Sequence, residues 1–540
     1  PYSFYRHFIS GGEVLMAWAL VPFHSDLLAN LTTVVQWLGI GSASWGLARA
    51  LGLREPFAAS SAGLTMFVPV LAFEMNTGYV EAPLNLALLL GIALSLWCLR
   101  TPRAAVAVAA AMALGIAAGI KLPAAPPGVV VLAVLLVRML FARRYTLGAR
   151  VGVVAVSAVG FALPVLPWAY QAYVETGYPL SPMPVKVLGF TLGVVSPAME
   201  WYQERSFHVP YSWDSESNAL RYLFSDVNVV SEVLGPSLGS TALLPLFVSA
   251  LGLWVLLRKR PLTALTLAVA MAAPWAAHFS AGLSVPRLYW AVSVARYLIG
   301  LMGMALPVSM AWCEPDSTLA QSYRRVLIVM SLWTVGISLR LGFGAWEIRE
   351  LMIVLVVSLL LGTLLWLVLR HNRLVAWQQL ATLCLVFVVG CSALQQRRDQ
   401  TRHLAYESSF ALHSSPRYWS AAPALVDEPL KKHHIALTGG PTQNCDGWFS
   451  YFFLGSRFQN TVHYVPVTKD GSIAHFGPHG DLEQRADADS WLKHLKRRQI
   501  TDVLTFPPYS TEQRWMDERP DTFEKATGNF DWGLYRVREP

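Results

Sequence analysis

Phe73 to Pro83 reads FEMNTGYVEAP, a short polar break between two apolar runs, and the fold follows from how it is read. It carries Glu74 and Glu81 but no Lys or Arg, whereas most other short breaks in the chain are basic. A carboxylate at the end of a membrane helix is costly, so it marks a functional position by default. The break is therefore expected to be half of a site on the outer face of a membrane.

Composition agrees with a membrane setting. The 540 residues are 54% hydrophobic and only 14% charged, with a mean hydropathy of +0.41, outside the range of ordinary soluble domains. The formal charge of +8 does not require an acidic partner such as nucleic acid. Arginines clustered between apolar runs have a simpler cause in the positive-inside rule. Of the five cysteines, Cys98, Cys313, Cys384 and Cys391 lie in or beside apolar segments and Cys445 stands alone in the polar tail, so neither a disulfide framework nor a CxxC metal site is expected.

Working outward from the break, residues 1–26 have too short an apolar core to span, and Gly11-Gly12 with Glu13 suits a helix lying at the interface. Spanning runs are expected at 27–48, 57–73, 83–99, 104–120, 122–141, 151–170, 239–257, 263–280, 291–312, 326–342, 350–369 and 375–392. That makes about 12 transmembrane helices of roughly 20 residues each. Basic connections alternate without a slip: Arg49 and Arg54, then Arg100 and Arg103, then Arg138 to Arg150, then Arg258 to Arg260, then Arg324 and Arg325, then Arg370 and Arg373. These are expected on the cytoplasmic side. Glu74 and Glu81, Lys121, a large loop over 171–238, Arg287, and Glu347 with Arg349 then face outward. With both ends of the chain outward, an odd number of helices upstream of Pro1 is expected, most simply one.

Residues 1–394 thus form a transmembrane module and 395–540 a small C-terminal α/β domain on the outer face. In the tail, HIAL at 434–437 and DVLTF at 502–506 read as strands, and GLYRV at 533–537 as a last one. Between them, DADSWLKHLKRRQI opens with a capping Asp and repeats Trp491, Leu492 and Leu495 at helical spacing. A further helix is expected from Thr511 to Glu518, stopped by Pro520.

Lys121 lies between a small-residue helix and a proline break, and Arg296 about one turn inside the outer end of its helix, with Arg287 just before it. They reach a similar depth on the same face as Glu81. A carboxylate beside cations at phosphate depth is what transfer from a lipid-phosphate donor requires: Glu81, or Glu74, would activate the acceptor as general base or hold a divalent metal such as Mg or Mn. The cations would stabilise charge on the departing phosphate. Tyr178, Trp213, Tyr297 and Glu13 are candidates for lining the substrate pocket. Each has a plainer reading: Glu81 as a dipole-favoured residue opening a helix, the cations as snorkelling side chains, the aromatics as an interfacial belt.

The ordered segments GGEVL (11–15), LVPFHSDLLANL (20–31), ARALGLREP (48–56), TGYVEAPLNLAL (77–88), GIAAGIKLPA (115–124), ETGYPLSPMPVKVLG (175–189) and ARYLIG (295–300) resemble the GT-C superfamily of multi-pass glycosyltransferases. The likeness is to bacterial members related to protein O-mannosyltransferases and lipid A aminoarabinose transferases, and WLKHLKRRQITDVLTF (491–506) with GLYRV is similar to their outer domains. The resemblance implies a multi-pass protein of the bacterial inner membrane with a periplasmic domain. It also implies transfer of a sugar from a polyprenyl-phosphate donor to an acceptor at the outer face, with inversion at the anomeric carbon. Relatives carry an acidic residue in the first outer loop and a second acidic motif in the next. Glu81 matches the second, where relatives often show Asp; the first is not visible, because the chain opens about where that loop would run. Two other functions remain open: an inactive relative serving as a structural subunit of a larger membrane complex, and a transporter.

Overall fold

The computed structural model describes residues 12, 14–15, 29–74, 80–121, 124–181, 185–187, 189–194, 238–239, 242–283, 295–312, 317–342, 423–428, 430–438, 453–455, 459–471, 484–505, 511–528 and 533–538. Helix α1 (Ala29–Leu51) is followed by α2 (Glu55–Met66) and α3 (Pro69–Glu74). Proline can open a helix but not continue one, because it has no N–H to donate. The run expected to span as one helix over 57–73 is accordingly two, divided before Pro69.

Helix α4 (Glu81–Arg100) has Glu81 in its first turn and Arg100 in its last, both favourable to the helix dipole. Twenty residues at 1.5 Å each make a rod of about 30 Å, the thickness of a bilayer core. It packs between α1 and α5 (Ala104–Ile120). The alanine-rich sequence of α5 is what lets it approach: Ala107, Ala110, Ala111, Ala117 and Ala118 are fully buried, and a Cβ on Gly91 of α4 would come within 2.7 Å of Leu114 Cγ. Small residues at helix contacts are the usual means of close packing where lipid removes the hydrophobic drive between helices.

Helices α6 (Ala125–Leu140), α7 (Leu147–Ala162) and α8 (Leu166–Thr176) follow. The run expected over 151–170 is bent by 55° between α7 and α8. Pro164 lies in the break and Pro167 at the start of α8, so neither residue can continue the backbone ladder. A hairpin of β1 (Val185–Val187) and β2 (Phe190–Gly193) comes next. Then come α9 (Leu243–Lys259), α10 (Pro261–Leu283), a 3-10 turn (Ala295–Leu298), α11 (Ile299–Met310) and α12 (Thr318–Gly342). One apolar cluster joins α1, α4, α5 and α11 through Trp37, Leu89, Ile92, Leu114, Leu301 and Met304.

Among the described residues, α4 alone is long and apolar enough to cross a membrane, with α7 and α8 a second span if the bent pair counts as one. Ala104–Ile120, Ala125–Leu140, Pro261–Trp275 and Ile299–Met310 are shorter apolar helices. The spans expected at 350–369 and 375–392 lie outside the described residues, so the structure gives no count of twelve.

Toward the C-terminus, β3 (His434–Thr438), β4 (Thr461–Tyr464), β5 (Asp502–Thr505), β6 (Phe523–Gly528) and β7 (Gly533–Val537) form a sheet in the order β4-β3-β5-β7-β6. The first three strands are parallel and the last two antiparallel additions. One face is covered by α13 (Ala488–Arg497) and α14 (Thr511–Asp517) through Trp491, Leu495 and Met516. The other buries Ile435, Leu437, Leu504 and Leu534 against Val426 and Phe453.

Candidate functional site

Three segments distant in sequence meet at the Glu81 end of α4. Glu81 is fully buried at the first position of the helix, following Val80, which supplies no side-chain cap. Lys121 is the residue after α5, held extended with its N–H bonded to Ala117 O at 3.2 Å. Helix α5 ends at Ile120, ahead of Leu122, which the following Pro123 disfavours from helical backbone, and helices usually end at or before such a residue. Arg296 sits in the 3-10 turn that leads into α11.

Their side chains converge on one oxygen. Glu81 Oε1 accepts a charge-assisted hydrogen bond from Lys121 Nζ and another from Arg296 Nε at 2.8 Å. The carboxylate is 1% exposed, the lysine 26% and the arginine 19%, so each cation keeps a wet side while the anion does not. Oε2 of Glu81 is buried with no hydrogen-bond partner among the described residues. Among the described residues the three side chains carry two positive charges and one negative, and their exposed part is cationic. That is the electrostatic form of a site for an anionic group at a helix end.

Asn85, one turn further along α4, fixes this geometry and was not singled out from the sequence. Its Nδ2 donates to Glu81 O at 2.7 Å and to Arg296 O at 3.2 Å, and its Oδ1 accepts the Gly300 N–H at 2.8 Å. A Cβ on Gly300 would stand 2.6 Å from that Oδ1, so the close approach requires glycine. The only signal in the sequence is a lone amide in an apolar run, LNLAL, four residues after the carboxylate. Such an amide hydrogen-bonds across helices in apolar surroundings.

The other expected site residues fare differently. Tyr178 is half-buried in the turn after α8, and its described hydrogen bonds go to Thr176 and Ser181 rather than to the Glu81 group. Glu13, Trp213 and Arg287 lie outside the described residues, as do the side chains of Glu74 and Tyr297. Gly12, next to Glu13, packs its backbone against Val80 and Ile120, the residues adjoining Glu81 and Lys121.

A divalent metal does not fit the described residues. Glu81 already has two cations on Oε1, which would repel a third positive charge, and no group of three His, Cys, Asp or Glu side chains among the described residues is placed to hold a metal ion.

No family model matches the chain, and no curated protein does. Among solved structures it is similar to ArnT from Cupriavidus metallidurans in the apo state, at 16% identity over 98% of this chain and 88% of that one, with a TM-score of 0.49. It is similar also to ArnT from Cupriavidus metallidurans bound to undecaprenyl phosphate, at 15% identity over 97% of this chain and 86% of that one, with a TM-score of 0.48.

Proposed function

We propose that this chain is a GT-C-like glycosyltransferase that moves a sugar from a polyprenyl-phosphate donor to an acceptor at the outer, periplasmic face of the inner membrane. The observation that supports it is the meeting of Glu81, Lys121 and Arg296 at the end of a bilayer-length helix, where a lipid phosphate lies. The order of sequence motifs points to the same class.

In this reading Lys121 and Arg296 bind the donor phosphate and stabilise the charge that develops on it as the bond from the anomeric carbon to the phosphate oxygen breaks. An acceptor hydroxyl attacks that carbon from the opposite side and inverts it. Its proton passes to the Glu81 carboxylate, and polyprenyl phosphate departs. Arg287 and Glu74 are proposed to stand beside these groups, and Tyr178, Tyr297, Trp213 and Glu13 to line the pocket.

Glu81→Gln keeps shape and removes the base. With the full chain in lipid nanodiscs and a polyprenyl-phosphate sugar as donor, transfer is expected to be abolished at an unchanged level of folded protein; normal turnover would refute the assignment. The alternative reading, an inactive structural subunit of a membrane complex, takes the saturated Oε1 as a packing device. It predicts no transfer by the unaltered chain either.

A further inference from the structure

The end of α4 away from Glu81 carries a second charged cluster of a different kind. Helix α1 stops at Gly52, which has a φ of +91°. Leu53 N–H returns to Ala48 O at 3.0 Å and Gly52 N–H to Arg49 O at 3.0 Å, the paired bonds with which helices often end at a glycine. The last carbonyls of α1 are taken by arginines from two other helices. Arg100 Nη1 donates to Ala50 O at 3.0 Å and to Arg49 O at 3.3 Å, and Arg260 Nη1 to Leu51 O at 3.3 Å. A Cβ on Gly52 would stand 3.9 Å from Arg100 Nη1 and 3.7 Å from Arg260 Nη2. Two guanidiniums therefore converge over one exposed glycine.

Capping occupies one nitrogen of each guanidinium, and each has five N–H donors. Among the described residues no carboxylate faces either of them. The acid at this corner, Glu55, pairs with Arg49 at 3.9 Å and accepts from Trp45 Nε1 at 3.0 Å. Arg54, Arg103 and Lys259 flank the pair in sequence and add to the positive charge. Two like charges brought together without a counterion favour an anion between them.

The surroundings identify the anion's source. Trp97, 43% exposed, precedes Arg100 by one turn. Trp254, 54% exposed, lies under the Arg258 guanidinium, 4.7 Å from its ring centre. Exposed indoles mark the level where acyl chains give way to headgroups, and basic pockets between helices at that level take lipid phosphates. We propose that Arg100 and Arg260, converging over Gly52, bind the phosphate of an anionic phospholipid headgroup at the rim opposite Glu81.

The test is lipid retention by the full chain, measured by native mass spectrometry from nanodiscs of phosphatidylcholine containing phosphatidylglycerol. At about fivefold per arginine, the two should give the anionic lipid roughly a twenty-fivefold preference over phosphatidylcholine. R100Q with R260Q should abolish that preference, and each single variant should lose about fivefold, which keeps the test open if the double variant does not fold. The control pair R143Q with R325Q and the separate variant E81Q should retain it, the latter whether or not the chain transfers a sugar. Undiminished preference in R100Q with R260Q, or in both single variants, overturns the site. Equal loss in the control pair overturns it in favour of a general basic rim. Displacement of the lipid by millimolar inorganic phosphate overturns the lipid as the natural occupant.

Discussion

Asn85 Oδ1 accepts the backbone N–H of Gly300 at 2.8 Å, so a side chain of one helix caps the beginning of another. The first N–H groups of a helix have no partner inside it, and here α4 supplies one to α11. Because the same amide also holds the backbone carbonyls of Glu81 and Arg296, it fixes the distance at which carboxylate and guanidinium meet.

Asn85→Leu keeps volume and deletes all three bonds, leaving the Gly300 N–H buried and unsatisfied. The expected loss is about 2–4 kcal/mol of stability. Gly300→Ala forces a methyl against Oδ1 and should cost about 1–3 kcal/mol. Thermal unfolding in detergent reads both, and an unshifted Asn85→Leu would show that the amide holds nothing.

Lys121→Met or Arg296→Met leaves a buried carboxylate with a single cation. Each should cost about 1–3 kcal/mol, because the carboxylate keeps one cation and loses one charge-assisted hydrogen bond. Combining Glu81→Gln with Lys121→Met removes both charges and should cost less than the two changes added separately, with a coupling of about 1–3 kcal/mol. Additive costs in this cycle would mean that the pair is solvated and not buried.

Trp491 is fully buried, stacked on Phe523 at 5.8 Å and tilted against Trp515 at 5.7 Å. Trp491→Ala should cost about 3–5 kcal/mol through the cavity it opens. The indole N–H has no acceptor among the described residues, so Trp491→Phe loses volume but no hydrogen bond and should cost markedly less. Urea unfolding of the two variants compares them, and equal losses would place an acceptor on the indole.

Tyr535 is held protonated by burial and by donating its hydroxyl to Asp517 Oδ1 at 2.6 Å, both of which raise its pKa above the ordinary 10.0. The folded state therefore keeps a proton that the unfolded chain releases near pH 10. This contribution to stability is complete below pH 10 and is lost as pH rises beyond it. Unfolding midpoints followed upward from pH 8 should fall above pH 10, and Tyr535→Phe should flatten that fall. A decline as steep in the variant would assign the effect to other groups.

What the sequence reveals differs by element. Glu81, Lys121 and Arg296 stand out because a charge flanked by apolar residues has few causes, and the structure brings those three together. Asn85 does not stand out, since an uncharged amide in a helix leaves no asymmetry to read until its cross-helix partners are known. The strands HIAL and DVLTF are legible because β3 and β5 are interior and buried on both faces. TVHY and FEKATG form β4 and β6, the two edges, where the side chains of β4 are half-buried and Glu524, Lys525 and Ala526 of β6 are exposed, so the apolar signal disappears. The break before Pro69 and the bend at Pro164 are hidden by hydropathy, which averages over a proline that the backbone cannot ignore.

The partners of Glu81 lie 40 and 215 residues further along the chain. At a synthesis rate of about 5–20 residues per second, its second cation emerges roughly ten to forty seconds after the carboxylate itself. Through that interval the carboxylate has Lys121 alone, a neutral pair. Fragments ending before residue 296 would lack the arginine and with it the surplus positive charge that the proposed donor phosphate is to meet.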